Sequence, residues 1–170
     1  MNKGFLKATG IILAIFGIGS ASAVSAEESM FSTKSLTPEV ALELAQEALA
    51  NCRKQGYQVA VSVVDRAGNL QVTLRDRFAG PHTPETSRGK AWSAVSFRSS
   101  TLEITKLIKS GELPATIGNI PGATMVGGGL PVEAAGSIVA GIGVSGAPGG
   151  TIDEACAKAG IEVITDKIAF

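Results

Sequence analysis

The chain has 170 residues, no net charge and a hydrophobic content of 45%. A protein without net positive charge lacks the field that attracts nucleic acid or anionic lipid, so we exclude nucleic acid as a partner. The length is that of one domain with one hydrophobic core.

The N-terminal segment has the three parts of a secretory signal peptide. It begins with two lysines, continues with an apolar run at residues 11–18, and ends in small residues at Ala26. The apolar run is shorter than the roughly 20 residues that span a bilayer, so we predict cleavage of residues 1–26 and no stable membrane insertion afterwards. Residues 27–36 are then a flexible lead-in, and 37–170 form a single domain in a secreted, periplasmic protein.

The first predicted elements are a helix and a hairpin. Thr37 and Pro38 provide an N-cap and a first-turn proline, and an apolar stripe with helical spacing runs from there to Cys52. A β-branched run at residues 59–64 and an alternating run at 70–75 flank a turn rich in Asp, Gly and Asn. This pattern predicts an antiparallel hairpin.

Two helices and three strands are predicted next. The helix starts are Thr83, as an N-cap directly after His82, and a capping box at 100–103. A loop at 113–122 follows, and then come short strands at 123–127, 130–133 and 137–144. A further capping box at 151–154 starts the last helix. The sequence thus predicts an α/β protein with five strands.

Cys52 and Cys156 both lie on apolar helix stripes, and their spacing excludes a CxxC redox motif, a zinc knuckle and covalent haem attachment. A disulfide would form in an oxidising compartment if the first and last helices pack side by side. Two buried free thiols are the alternative. The sequence leaves both interpretations open.

Residues 141–146 match the GxGxxG pattern of dinucleotide sites, but too little chain follows to complete such a fold. We interpret these glycines as part of a core strand and its exit turn. Ser145 also lacks the glycine that a nucleophile elbow needs two positions later, which argues against a serine hydrolase.

The stretch at 75–90 carries the only histidine, His82. Imidazole is a common metal ligand and proton carrier near neutral pH, although a surface or capping histidine is the alternative. The neighbouring Arg75, Arg77, Arg88 and Lys90 would form an anion-receptive rim. Such a rim suits a metal-bearing ligand that carries carboxylates.

Several motifs together resemble the GlcG/HbpS haem-binding family. They are found at residues 61–70, 87–94, 127–132 and 141–155, and the resemblance covers about residues 36–164. It implies a profilin-like α/β fold whose five-stranded antiparallel sheet is flanked by helices on both faces. It also implies homo-oligomers, often octamers, that bind, slowly degrade or sense haem.

From the residues and the resemblance we expect a secreted protein that binds b-type haem non-covalently, with His82 on the iron. The cofactor-binding residues are expected to be His82, Thr83, Arg88, Lys90, Gly127 and Gly128. One alternative is an enzyme that breaks down haem with peroxide or turns over a small carboxylate. Another is a non-catalytic assembly module whose oligomer binds a second secreted protein, or a membrane sensor. The sequence leaves open whether the protein is catalytic.

Overall fold

A computed structural model describes residue 1 and residues 29–169 of the chain. The predicted signal peptide therefore lies almost wholly outside the described residues, and its cleavage stays a prediction. Thr33–Phe170 forms one compact unit. Within the described residues, no helix combines the length and the apolar character needed to cross a membrane.

The compact unit contains four α-helices, one short 3-10 helix and four strands among its described residues. In chain order they are α1 (Pro38–Lys54), β1 (Ala60–Asp65), β2 (Leu70–Arg75), α2 (Thr83–Phe97), α3 (Thr101–Ser110), the 3-10 helix (Ala115–Asn119), β3 (Gly129–Ala134), β4 (Ser137–Ser145) and α4 (Gly150–Ile168).

The strands form one antiparallel sheet in the order β2-β1-β4-β3. The two central strands, β1 and β4, pair from Ala60 with Ser145 to Asp65 with Ala140. The β3–β4 turn has positive φ at both central residues, Ala135 and Gly136. Such a turn matches the natural twist of a two-stranded ribbon.

The described sheet has four strands instead of the predicted five, because residues 123–127 form no strand. Their main-chain groups bond to helix side chains. The Thr124 N–H donates to Ser93 Oγ at 2.8 Å, and the Met125 carbonyl accepts from Thr105 Oγ1 at 3.0 Å. The hydrogen bonds of these main-chain groups are formed without a neighbouring strand, so the segment packs against α2 and α3 instead of extending the sheet.

Helices cover both faces of the sheet, as predicted. Val61 and Val63 of β1 point into the main core, which α1 and α4 close, while Ser62 and Val64 face α2 on the other side. This follows from the two-residue period of a strand, whose successive side chains point to opposite faces.

Helix α2 lies directly against the glycines of β4. A Cβ atom on Gly143 would lie 2.0 Å from the Ser87 carbonyl oxygen, and one on Gly141 would lie 2.7 Å from that of Ala91. No larger residue fits at this distance, so these glycines set the helix-to-sheet spacing. Their position in a buried strand agrees with our interpretation of the GxGxxG match.

Two helix starts agree with prediction, and two differ from it. Thr37 caps α1 and Ser100 caps α3 with side-chain hydrogen bonds. In α2 the N-cap is His82, whereas Thr83 is the first helical residue and donates its hydroxyl to the Gly80 carbonyl at 2.8 Å. Helix α4 begins one residue before Thr151, after Gly149, and has no side-chain cap.

A disulfide joins Cys52 of α1 to Cys156 of α4 in the structure, with the two Cα atoms 5.5 Å apart. Both residues are fully buried in the main core. The disulfide therefore links the two helices that pack side by side on one face of the sheet.

The end of the predicted lead-in is attached to the fold. Leu36 is buried in the main core, and its carbonyl accepts a hydrogen bond from Gln71 Nε2 at 2.9 Å. Regular secondary structure nevertheless begins only at Pro38, close to the predicted boundary.

Candidate functional site

The segment that leads to His82 is fixed by a buried carboxylate. The Asp76 side chain is fully buried and accepts from Arg53 Nε at 2.6 Å and Arg53 Nη2 at 2.8 Å. It also accepts from the Arg77 N–H at 2.8 Å. Asp76 therefore ties the exit of β2 to α1, so the following loop starts from a defined position.

The bonds from Arg53 lower the pKa of Asp76 from its ordinary 3.8 to about 2. A lowered native pKa stabilises the fold above the unfolded-state pKa, and this contribution disappears as pH falls towards 2. We therefore expect unfolding measurements to show stability falling between about pH 4 and pH 2. Asp76→Asn should flatten this part of the profile, and an unchanged profile would contradict the assignment.

His82 is exposed at the start of α2, and its ring lies close to Gly80. Among residues 29–169, its imidazole has no hydrogen-bond partner, and no cluster of three or more His, Cys, Asp or Glu side chains could hold a metal ion. His82 can thus offer a ring nitrogen to an incoming ligand, while a bare metal ion would have too few protein ligands.

A groove of about 200 Å³ runs along the outer face of α2 and is bounded by the loop before β3. It is lined by Glu85, Arg88, Gly89, Trp92, Pro121 and Gly122. The Trp92 ring lies against Gly68 in the β1–β2 turn, where a Cβ atom would come within 2.7 Å of the ring, and it also lies near Gly122 in the loop. The groove thus has a flat aromatic wall.

The mouth of this groove carries charge of both signs. Arg88 is half exposed and lies 3.5 Å from Glu85, which is mostly exposed. An ion pair of this kind is weak in water, so the guanidinium can exchange its partner for a stronger anion at little cost.

The predicted rim is only partly formed. Arg75 donates to the Ala79 carbonyl, and Arg77 lies 3.8 Å from Asp76. Lys90 is buried and does not reach the groove. Its ammonium group instead donates to the Val144 carbonyl and to Asp153. Of the predicted basic residues, Arg88 is the one that lines the groove.

Lys90 forms an ion pair inside the protein. Its Nζ donates to Asp153 Oδ2 at 2.8 Å and to the Val144 carbonyl at 2.9 Å. Burial raises the pKa of Asp153, against the opposing hydrogen bonds from Lys90 and the Ala147 N–H. The pair joins α2, the end of β4 and the first turn of α4.

Gly127 and Gly128 are both buried, and Gly128 lies beside this ion pair. A Cβ atom on Gly128 would lie 2.7 Å from Asp153 Cβ, and one on Gly127 would lie 3.2 Å from the Gly150 backbone. Both glycines thus make room for close packing on α4. In this structure Lys90 and these glycines contribute to packing between α2, β4 and α4, and their part in binding a cofactor stays a prediction.

Sequence reasoning missed much of the groove. Trp92, Pro121 and Gly122 were not predicted as site residues, although Trp92 is the only tryptophan in the chain. The signal that could have found them is the pairing of this aromatic residue with glycines distant in sequence. Asp153, the partner of Lys90, was predicted only as part of a helix start.

Comparison with protein families gives a match over most of the chain. The family model described as haem degrading protein, HbpS-like, matches residues 36–162. Among curated proteins, a 15.0 kDa protein from the dhaT-dhaS intergenic region of Citrobacter freundii is 31% identical over 121 residues. The aligned region is 70% of this chain and 83% of that protein.

Solved structures with the same fold include two that bear on function. A double mutant of HbpS from Streptomyces reticuli is 40% identical, with a TM-score of 0.76, over 85% of this chain and 97% of that one. The structure of a PduOC:haem complex is 26% identical, with a TM-score of 0.71, over 76% of this chain and 95% of that one.

Proposed function

This chain belongs to the family of HbpS-like haem-degrading proteins, and we propose on that premise that it binds b-type haem non-covalently at the groove on α2. The observation that carries the proposal is the family match over residues 36–162. The haem complex of a structural relative, PduOC, supports it.

The side chains along the outer face of α2 fit the parts of a haem. The exposed imidazole of His82 can bind the iron through a ring nitrogen, and Arg88 can pair with a propionate group. Trp92 offers a flat surface for the porphyrin ring. Bound haem would supply an iron centre for redox chemistry, while the protein would hold and orient it.

The size of the groove suggests that a second copy of the chain completes the site. Pockets that enclose small molecules usually have about 300–1,000 Å³, whereas this groove has about 200 Å³. A single chain would cover only part of a porphyrin. We therefore propose a homo-oligomer, up to an octamer, in which haem lies at a subunit interface.

The disulfide favours an exported protein. Disulfides persist in the periplasm and outside the cell and are rare in the cytosol. Together with the predicted signal peptide, the Cys52–Cys156 bond supports secretion to the periplasm. A partner there, either a membrane sensor or another secreted protein, remains part of the proposal.

The proposal predicts the outcome of a haem titration followed at the Soret band. Mature protein should bind haem, and His82→Ala should weaken binding by at least about tenfold and shift the band, because it removes the iron ligand. Arg88→Ala should weaken binding by about tenfold and leave the band in place, because it removes a charged hydrogen bond.

Lys158→Ala is the matched control, since this exposed lysine lies on α4 and does not line the groove. An unchanged spectrum and affinity in His82→Ala would remove His82 from the site. Absence of any Soret change in the mature wild-type protein would refute haem binding itself.

The family description favours haem breakdown as a second candidate function. Under a mild reductant with peroxide, an enzyme would lose the Soret band and release iron. A storage or sensing protein would keep its spectrum over the same period.

A further inference from the structure

A second cavity, of about 370 Å³, lies at the opposite end of α2 from His82. It is lined by Arg66, Arg98, Glu133, Gly136, Ser137 and Ile138. These residues come from the β1–β2 turn, the C-terminal end of α2 and the β3–β4 hairpin. The volume lies within the usual range of small-molecule sites, and none of these residues lines the groove at Trp92.

Among the described residues, the charged side chains that line this cavity do not pair with one another. Arg66 Nη1 donates to the Ile138 carbonyl at 3.1 Å, which fixes its guanidinium against the hairpin and leaves further donors for a ligand. Within residues 29–169, Arg98 and Glu133 form no hydrogen bond or ion pair through their side chains. Two guanidinium groups and one carboxylate thus border one space without neutralising each other.

The backbone around the cavity is unusual at two points. Arg98 is the C-cap of α2 and has a φ of 54°, a left-handed conformation that glycine adopts far more readily. Glu133 follows an irregularity in the β3–β4 register, and such bulges redirect side chains. Arginine at a position that favours glycine is explained if its side chain has a binding role.

We propose that this cavity binds a small carboxylate that also carries a hydroxyl or ammonium group. The carboxylate pairs with Arg66 and Arg98, since guanidinium groups match its geometry. Glu133 accepts a hydrogen bond from the hydroxyl or ammonium group. The lining charges then meet complementary charge, and Glu133 disfavours ligands that carry an anionic group where the hydroxyl or ammonium group would lie.

Calorimetric titration of the haem-free mature protein tests this site, with malate as the probe. Succinate lacks only the hydroxyl group, and inorganic phosphate is the simple anion. We expect malate to bind more tightly than either. Arg66→Gln and Arg98→Gly should each weaken malate binding by at least about tenfold, because each removes a charged hydrogen-bond donor.

Arg98→Gly also separates binding from folding. Glycine relieves the left-handed backbone, so the variant should keep or raise the melting temperature while it loses affinity. Lys158→Gln removes the same charge from α4 and should leave malate binding unchanged. Glu133→Gln should reduce the preference for malate over succinate.

Three results would overturn the proposal. They are no binding heat with any of the three anions, equal malate affinity in Arg98→Gly and wild type, or phosphate binding that exceeds malate binding and is insensitive to Glu133→Gln. Because the titrations contain no haem, they give the same answer whether or not the groove on α2 binds haem.

Discussion

Replacing Cys52 and Cys156 together with alanine is expected to lower the free energy of unfolding by about 4–5 kcal/mol. The disulfide links positions separated by 104 residues, and a crosslink that closes so long a loop removes much of the conformational entropy of the unfolded chain. For a domain of this size, such a loss is a large part of the total stability. Urea unfolding of the oxidised wild type and the double variant measures the difference.

Reduced wild-type protein is the control, because it keeps the cysteine side chains and loses only the crosslink. It should unfold at nearly the same urea concentration as the double variant. Intact mass with and without reductant reports the bond directly. Two titratable thiols in the purified native protein, or equal stability of oxidised and reduced chains, would contradict the disulfide.

Lys90→Met is expected to destabilise the protein by about 3–5 kcal/mol. The substitution leaves the Asp153 carboxylate buried without its cation, and breaking a buried ion pair costs that much. Asp153→Leu should have a similar effect through the orphaned ammonium group. The double substitution should recover most of the loss, since it removes both charges from the interior.

Lys106→Met is the matched control for this pair. Lys106 lies 3.4 Å from Glu103 on the exposed face of α3, and an exposed pair contributes at most about 1 kcal/mol. Chemical unfolding of Lys90→Met, Asp153→Leu, the double variant and Lys106→Met measures the four free energies of unfolding to be compared. A Lys90→Met variant as stable as Lys106→Met would show that the buried pair does not hold α2 to α4.

The elements with strong periodicity could be predicted from the sequence. The apolar stripe from Ala41 to Cys52 indicates the buried face of a helix, and the β-branched run of β1 indicates a strand that is buried on both faces. Both segments form close to the predicted bounds. Local chemistry also fixed the caps at Thr37 and Ser100, because each bond spans only two or three residues.

The sequence could not predict features that depend on distant partners. Residues 123–127 have a strand-like composition, but Ser93 and Thr105 supply their hydrogen bonds from helices earlier in the chain. Lys90 was expected in an anion-receptive rim, and its ion pair could not be predicted, because its partner Asp153 lies 63 positions later. The composition of a segment does not reveal which distant residue will satisfy its hydrogen bonds or neutralise its charge.

The same limit applies to the candidate site. His82 could be singled out because it is unique, and its exposure at the start of α2 keeps it available to a ligand. The groove itself depends on contacts between Trp92 and glycines in two separate loops. Those contacts exist only once the loops are brought together by the fold.

The position of the two central strands affects how the chain can fold during synthesis. Strand β1 begins at Ala60, and its central neighbour, β4, ends at Ser145. Until the ribosome has released β4, α2 has only half of its sheet to pack on, and α1 lacks its partner α4. Contacts so far apart in sequence form slowly. The chain therefore cannot complete its core until most of it has been translated, and a chain that folds late would suit the export that we propose.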